Sequence, residues 1–116
     1  FSAQSDITQE VSKGLQIGNA EIISGFFIEK VDLTILDEED IYKKEVAQNM
    51  LTDFFKKNQV VSFSVKHKGT SKLDDQYRIG DLVCKTGKYR VTFFIKRNEG
   101  GNKIKQFRIE EVDDDF

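Results

Sequence analysis

Residues equipped for chemistry are scarce in this chain. Among 116 residues there is one histidine, His67, and one cysteine, Cys84. A thiolate nucleophile needs a neighbouring base and a reachable, electropositive setting. The strand pairing argued below separates His67 from Cys84 by on the order of 20 Å, at ~3.3 Å per strand residue. That excludes a dyad, and Cys84 reads as a small buried apolar residue. Ser–His–Asp arrangements fail for the same want of histidines. A lone cysteine also excludes an internal disulfide and a thiolate metal cage. The run Asp37-Glu38-Glu39-Asp40 lacks the spacing and glycine of a calcium loop, and Gly100-Gly101 joins two strands rather than cradling a phosphate. What remains could hold a ligand. His67, Arg78 and Lys105 fall across one end of a single sheet face with Ile95 between them, and Arg78 can grip a carboxylate or phosphate with two prongs. Tyr42 approaches from a short hairpin, while Tyr89, with Cys84 and Glu111, marks the other end of that face. The competing reading makes the three cations a solvated rim whose stems cover the edge of the core.

Composition sets the wider bounds. The length suits one domain over 1–116 with one real core, and ten Phe and three Tyr give that core its bulk. Twenty acidic against eighteen basic residues leave a net charge of −2, which argues against a general polyanion binder. Basic residues interleaved with aromatics (Lys66, Lys68, Arg90, Phe94, Lys96) imitate a single-strand nucleic acid platform, but the acidic balance and the tail Asp113-Asp114-Asp115 oppose it. No apolar run approaches the ~20 residues needed to span a bilayer. The opening Phe1-Ser2-Ala3-Gln4 resembles the end of a signal-peptide cleavage site and equally suits trimming. The expectation is an exported protein, periplasmic or extracellular, with the signal peptide removed.

The elements that must position these residues follow from periodicity. Ser5-Asp6 with Gln9 is a helix start, Ile7, Val11 and Leu15 make one apolar stripe, and Gly18 ends the helix. Asn19 caps a second helix that buries Ile22, Ile23, Phe26 and Phe27. A strand over 31–36, the acidic turn and a brief return at Ile41-Tyr42 form a hairpin. From 44 to 57, Val46, Ala47, Met50, Leu51, Phe54 and Phe55 make a wide buried helical face, ending at Lys56, Lys57 and Asn58. The rest is sheet, with strands over 60–68, 76–85, 88–97 and 103–112.

A two-residue turn at Thr86-Gly87 would set Tyr89 opposite Cys84, Val91 opposite Leu82, Phe93 opposite Gly80 and Ile95 opposite Arg78. Gly80 then leaves room for the ring of Phe93. Pairing Lys103 with Arg97 sets Phe107 beside Phe93 and Ile109 beside Val91. On the other flank Val61, Phe63, Val65 and His67 align with Cys84, Leu82, Gly80 and Arg78. Asp81, Thr92 and Arg90 fall on the opposite, mostly polar face. There Ile79, Phe94 and Tyr77 form a sticky patch able to join two copies into a homodimer.

The order of two helices, a hairpin, a third helix and an antiparallel meander resembles the nuclear-transport-factor-2-like superfamily, also called ketosteroid-isomerase-like or cystatin-like. The local match runs through Phe26-Phe27, Val31-Asp32-Leu33, Ile41-Tyr42-Lys43-Lys44-Glu45-Val46-Ala47 and Leu51-Thr52-Asp53-Phe54-Phe55. Lys44 stands where the superfamily often has Gly. Within it, Phe54-Phe55-Lys56-Lys57-Asn58, His67-Lys68-Gly69-Thr70-Ser71, Tyr77-Arg78-Ile79-Gly80, Tyr89-Arg90-Val91 and Arg108-Ile109-Glu110 are similar to a group of small exported bacterial domains of unknown function. The resemblance implies an α+β cone-like fold: N-terminal helices, a long third helix and a strongly bent antiparallel sheet of about five to six strands. It brings no chemistry with it, since the fold hosts enzymes and binders alike. Isomerase members use an Asp base with Tyr and protonated-Asp donors inside the cone, and dehydratase members a His–Asp pair; neither set falls on the inward positions here.

The expected function is therefore non-enzymatic binding of a small ligand, an anion among the candidates, or of a protein partner, in or around the cone. The expected ligand-facing residues are His67, Arg78, Lys105, Tyr89 and Tyr42, with no metal, no cofactor and no nucleic acid partner. The alternative is a self-associating module joined through Ile79, Phe94 and Tyr77, and an enzyme with an unfamiliar site ranks last.

Overall fold

The computed structural model describes residues 6–73, 75–97 and 101–112. Ser5, the start Phe1-Ser2-Ala3-Gln4, Gly100 and the acidic tail 113–115 lie outside the described residues. The first helix, α1 (Thr8–Ile17), turns Ile7, Val11 and Leu15 into the core and ends at Gly18, whose φ of 65° is the left-handed conformation glycine accepts without strain. Its start departs from a simple cap. The Asp6 carboxylate accepts from the backbone N–H of Thr8 at 2.9 Å and from the Thr8 hydroxyl. Asn19 caps the short α2 (Ala20–Ser24), accepting from Ile22 N at 3.0 Å. Phe26 and Phe27 leave that helix, because Ile104 N donates to Phe26 O at 2.7 Å and draws the chain into the sheet.

The first strand, β1 (Phe27–Ile35), accordingly starts earlier than its alternation predicted. It turns through Leu36, at φ 57°, into β2 (Glu38–Lys43), so the acidic run supplies an exposed edge strand as well as the turn. Helix α3 (Lys44–Lys57) buries Ala47, Leu51, Phe54 and Phe55, while Met50 is half-buried and Val46 is 44% exposed, so its apolar face is narrower than predicted. Four strands follow: β3 (Val60–Thr70), β4 (Gln76–Cys84), β5 (Gly87–Lys96) and β6 (Lys103–Glu111). The six strands lie in the order β2-β1-β6-β5-β4-β3. All neighbours are antiparallel except β1 and β6, which run parallel, so the sheet is mixed rather than antiparallel throughout. The parallel join arises because the β1–β2 hairpin docks beside the last strand of the meander.

Register decides the faces. The β4–β5 turn is Lys85-Thr86, so Leu82 meets Tyr89 and Gly80 meets Val91, two residues from the predicted pairing. A shift of two preserves the face, and Val91, Phe93, Leu82 and Cys84 all point inward as expected. Gly80, however, makes room for Phe63 of the neighbouring strand and not for Phe93. A Cβ there would lie 2.6 Å from Phe63 Cζ and 2.6 Å from the Ser64 carbonyl oxygen. Phe93 and Phe107 pair as predicted and stack with centroids 6.2 Å apart. Beyond them a register break between Phe94 and Ile95 brings Lys103 opposite Lys96 and not Arg97. Two further breaks lie in β3, between Val60 and Ser62 and between Val65 and His67. Such bulges bend a strand and re-aim side chains. With the helices against it, the concave face closes over a single core of Phe27, Val31, Leu33, Leu51, Leu82, Phe93, Phe107 and Ile109, each fully or almost fully buried.

Candidate functional site

The five residues singled out from sequence do not converge. Arg78 points inward as expected and is 6% exposed, but its guanidinium is wholly engaged. Nε donates to Thr8 Oγ1 at 2.9 Å, Nη1 to the Tyr77 carbonyl at 2.9 Å, and Nη2 to Gln76 Oε1 at 3.0 Å and Asp6 Oδ2 at 3.4 Å. This cation fastens the start of α1 to β4. Burial pushes the Asp6 carboxyl up, but hydrogen bonds from the Thr8 hydroxyl and backbone and the charge of Arg78 outweigh it and hold the carboxyl below its ordinary value. Lys105 pairs with Asp75, beside the Gln76 that Arg78 grips. Those two cations do share one end of the sheet, each with its own acid.

His67 is not with them. The bulge after Val65 sets His67 opposite Ile79 and gives the place facing Arg78 to Lys68. Lys66 and His67 therefore both line the outer face, contrary to the unbroken alternation assumed from sequence. There they border an open depression of about 460 Å³ with Ile79, Asp81 and Arg90. Tyr89 stands at the far end, its hydroxyl donating to Asn58 Oδ1 at 3.1 Å and its ring edge-on to Phe54 at 5.3 Å. Tyr42 lies on β2, opposite Val31 and half-buried against the core. It is thus on the sheet edge opposite to that of His67. Cys84 is buried, and burial pushes its thiol up, which keeps it protonated and unreactive at neutral pH.

One surface went unread in the sequence, and a second was read there only for its apolar patch of Ile79, Phe94 and Tyr77. The first is a groove of about 510 Å³ between α1 and β3, of mixed character, bordered by Asp6, Gln9, Ser12, Gln16, Ser64 and Lys68 and by the apolar Phe63 and Val65. The other is the outer sheet face around His67. Tyr77 and Phe94 face each other there with ring centroids 5.8 Å apart, and the Tyr77 ring lies across Gly69, filling the space a side chain would take. Thr34 and Arg108, directly opposite on β1 and β6, carry a buried hydroxyl and a buried Nε without hydrogen-bond partners among the described residues. The polar run Lys66-His67-Lys68, which interrupts the apolar alternation of Phe63 and Val65, was the available signal for the bulge. Among the described residues no three His, Cys, Asp or Glu side chains gather as metal ligands, and no helix is long and apolar enough to cross a membrane.

Three helices against one face of a bent six-stranded mixed sheet, with its seam between the first and last strands, give this chain a nuclear-transport-factor-2-like fold. The chain belongs to the family described as domain of unknown function DUF4783, whose sequence model matches residues 8–110. A family structure from Bacteroides fragilis is 30% identical, with TM-score 0.84 over 92% of this chain and 100% of that one. Another, from Bacteroides uniformis, is 28% identical, with TM-score 0.86 over 94% and 100%. A polyketide-cyclase-like protein of Sinorhizobium meliloti shares the fold alone, at 9% identity and TM-score 0.68 over 90% and 94%. No curated protein matches.

Proposed function

We propose that this chain is a non-catalytic, exported binding domain that meets its partner, a protein surface, on the outer face of its sheet and not inside the cone. The observation that carries this is the filled concave face. Val31, Leu33, Leu51, Leu82, Val91, Phe93, Phe107 and Ile109 are each completely buried, so a ligand reaching any of these residues would have to displace packed side chains. Arg78 and Lys105, which could have drawn an anion inward, are already paired. The helices bury their apolar residues in the same cluster as the concave face, which leaves the outer face to solvent. The export part of the reading rests on the likeness to small exported bacterial domains. It is tested by fractionating cells that make the full-length protein, a cytosolic location being the result against it.

A fragment library screened by methyl NMR tests the surface. The methyl signals of Ile79 are expected to shift on binding, while those of Val31, Leu51 and Leu82 stay fixed. Saturable shifts at the interior methyls would reverse the assignment. A second reading, self-association through Tyr77, Ile79 and Phe94, is favoured by the pairing of the Tyr77 and Phe94 rings on a face that carries both signs of charge. Sedimentation mass that rises with concentration, and falls back in Phe94→Ser, supports it; a monomer at all concentrations ends it.

A further inference from the structure

We infer that the depression around Ile79 is a site for a small oxyanion that also carries a hydrogen-bond donor, as monohydrogen phosphate does. The inference rests on the outer face being the working surface. The bulge after Val65 is what creates the site. Without it His67 would point toward Arg78 and the cluster would lose a member, whereas the break turns Lys66 and His67 together onto the face that Arg90 reaches from β5.

These side chains differ from the cations that the fold engages in pairs, and they stand out from the other unpaired ones by sharing one depression. Arg78, Lys105 and Arg108 each have an acidic partner within ion-pair distance. Lys66, His67 and Arg90 have neither ion pair nor hydrogen bond among the described residues, although Asp81 sits directly across from Arg90 in the strand pairing. Three uncommitted donors thus border one depression large enough for a small molecule, over the apolar floor of Ile79. Lys66 offers an ammonium with three donors, Arg90 a planar fork and His67 a ring N–H.

Asp81 fixes the rest of the ligand's chemistry. A bare anion would meet a carboxylate that only accepts hydrogen bonds, and lone pair would face lone pair. An oxyanion that carries its own O–H or N–H turns the same carboxylate into a partner, because Asp81 accepts that hydrogen while the three donors hold the negative oxygens. Inorganic phosphate keeps such a hydrogen at neutral pH, and sulfate does not. The two ions are otherwise alike in size and shape.

The test is a titration of the intact protein at neutral pH with inorganic phosphate and, separately, with sulfate at matched ionic strength. It reads the backbone and side-chain NMR signals of Lys66, His67, Ile79 and Arg90. Phosphate should give saturable shifts at these residues with at least tenfold tighter binding than sulfate. Lys66→Gln and Arg90→Gln should each weaken phosphate at least fivefold with unchanged thermal midpoints, and Asp81→Asn should reduce the preference for phosphate over sulfate. No saturable shift with phosphate, or equal binding of the two ions, overturns the inference. If fragments still bind the outer face while phosphate fails, only the oxyanion site falls; if fragments instead enter the core, the outer-face reading falls with it.

Discussion

Arg78 and Thr8, seventy residues apart in the chain, are joined by a buried hydrogen bond of 2.9 Å from the guanidinium Nε to the hydroxyl. The same hydroxyl donates a hydrogen bond to the Asp6 carboxylate. A cation expected to greet a ligand is instead the fastening between the first helix and the fourth strand. Replacing Arg78 by Leu removes four hydrogen bonds and leaves the Thr8 hydroxyl, the Asp6 carboxylate and the Gln76 amide with fewer partners. Urea unfolding should show a loss of roughly 2–4 kcal/mol.

The fastening has an acid limit. Because Asp6 sits below its ordinary value in the folded protein, the stability it contributes is fully present above the unfolded carboxylate pKa of about 3.9. It is lost as pH falls through the lower folded value. Thermal melts of Asp6→Asn should be less stable than the parent at neutral pH, and the two curves should converge in strong acid.

Gly80 is held by close approach. With an added Cβ 2.6 Å from both a ring carbon of Phe63 and the backbone oxygen of Ser64, Gly80→Ala should cost about 1–3 kcal/mol in chemical unfolding. Shortening Phe63 to Leu in the same chain should not restore the loss in full, since the carbonyl cannot move aside as a side chain can.

Asn58 ties the end of α3 to the β4–β5 turn. Its Nδ2 donates to Phe54 O at 2.9 Å, and its Oδ1 accepts from Thr86 and from Tyr89, the latter at 3.1 Å. Asn58→Ala should destabilise by about 1–2 kcal/mol. Hydrogen exchange should quicken locally at residues 85–89 before the rest of the sheet.

Thr34 should behave in the opposite way. It is 4% exposed, and its hydroxyl is buried without a partner among the described residues. Burying a hydroxyl without a hydrogen bond is unfavourable, so Thr34→Val should leave unfolding free energy unchanged or raise it by up to ~1 kcal/mol.

Much of the architecture was legible because it rests on local signals. Gly18, Asn19 and the span of α3 could each be read from a few residues, and the inward set Val91, Phe93 and Phe107 survived a two-residue error in the hairpin because faces repeat every second residue. The site was less legible for the same reason. A single extra residue between Val65 and His67 reverses the face, and the break sits beside the close approach of Phe63 to Gly80, a contact between strands that no periodicity in either strand contains. Nor could Arg78 be seen as spoken for, since Thr8 and Asp6 approach it from the other end of the chain.

The parallel seam between β1 and β6 bears on the order in which the protein can be made. A chain emerging from its N-terminus holds the β1–β2 hairpin long before its neighbour in the sheet exists, and only synthesis of residues 103–111 supplies the strand that joins that hairpin to the meander. Until then Phe27, Val31 and Leu33 have no completed core to enter. Closure is thus a late, long-range event of the kind that slows folding, and a chain cut short before β6 would lack the strand that joins the two parts of its sheet.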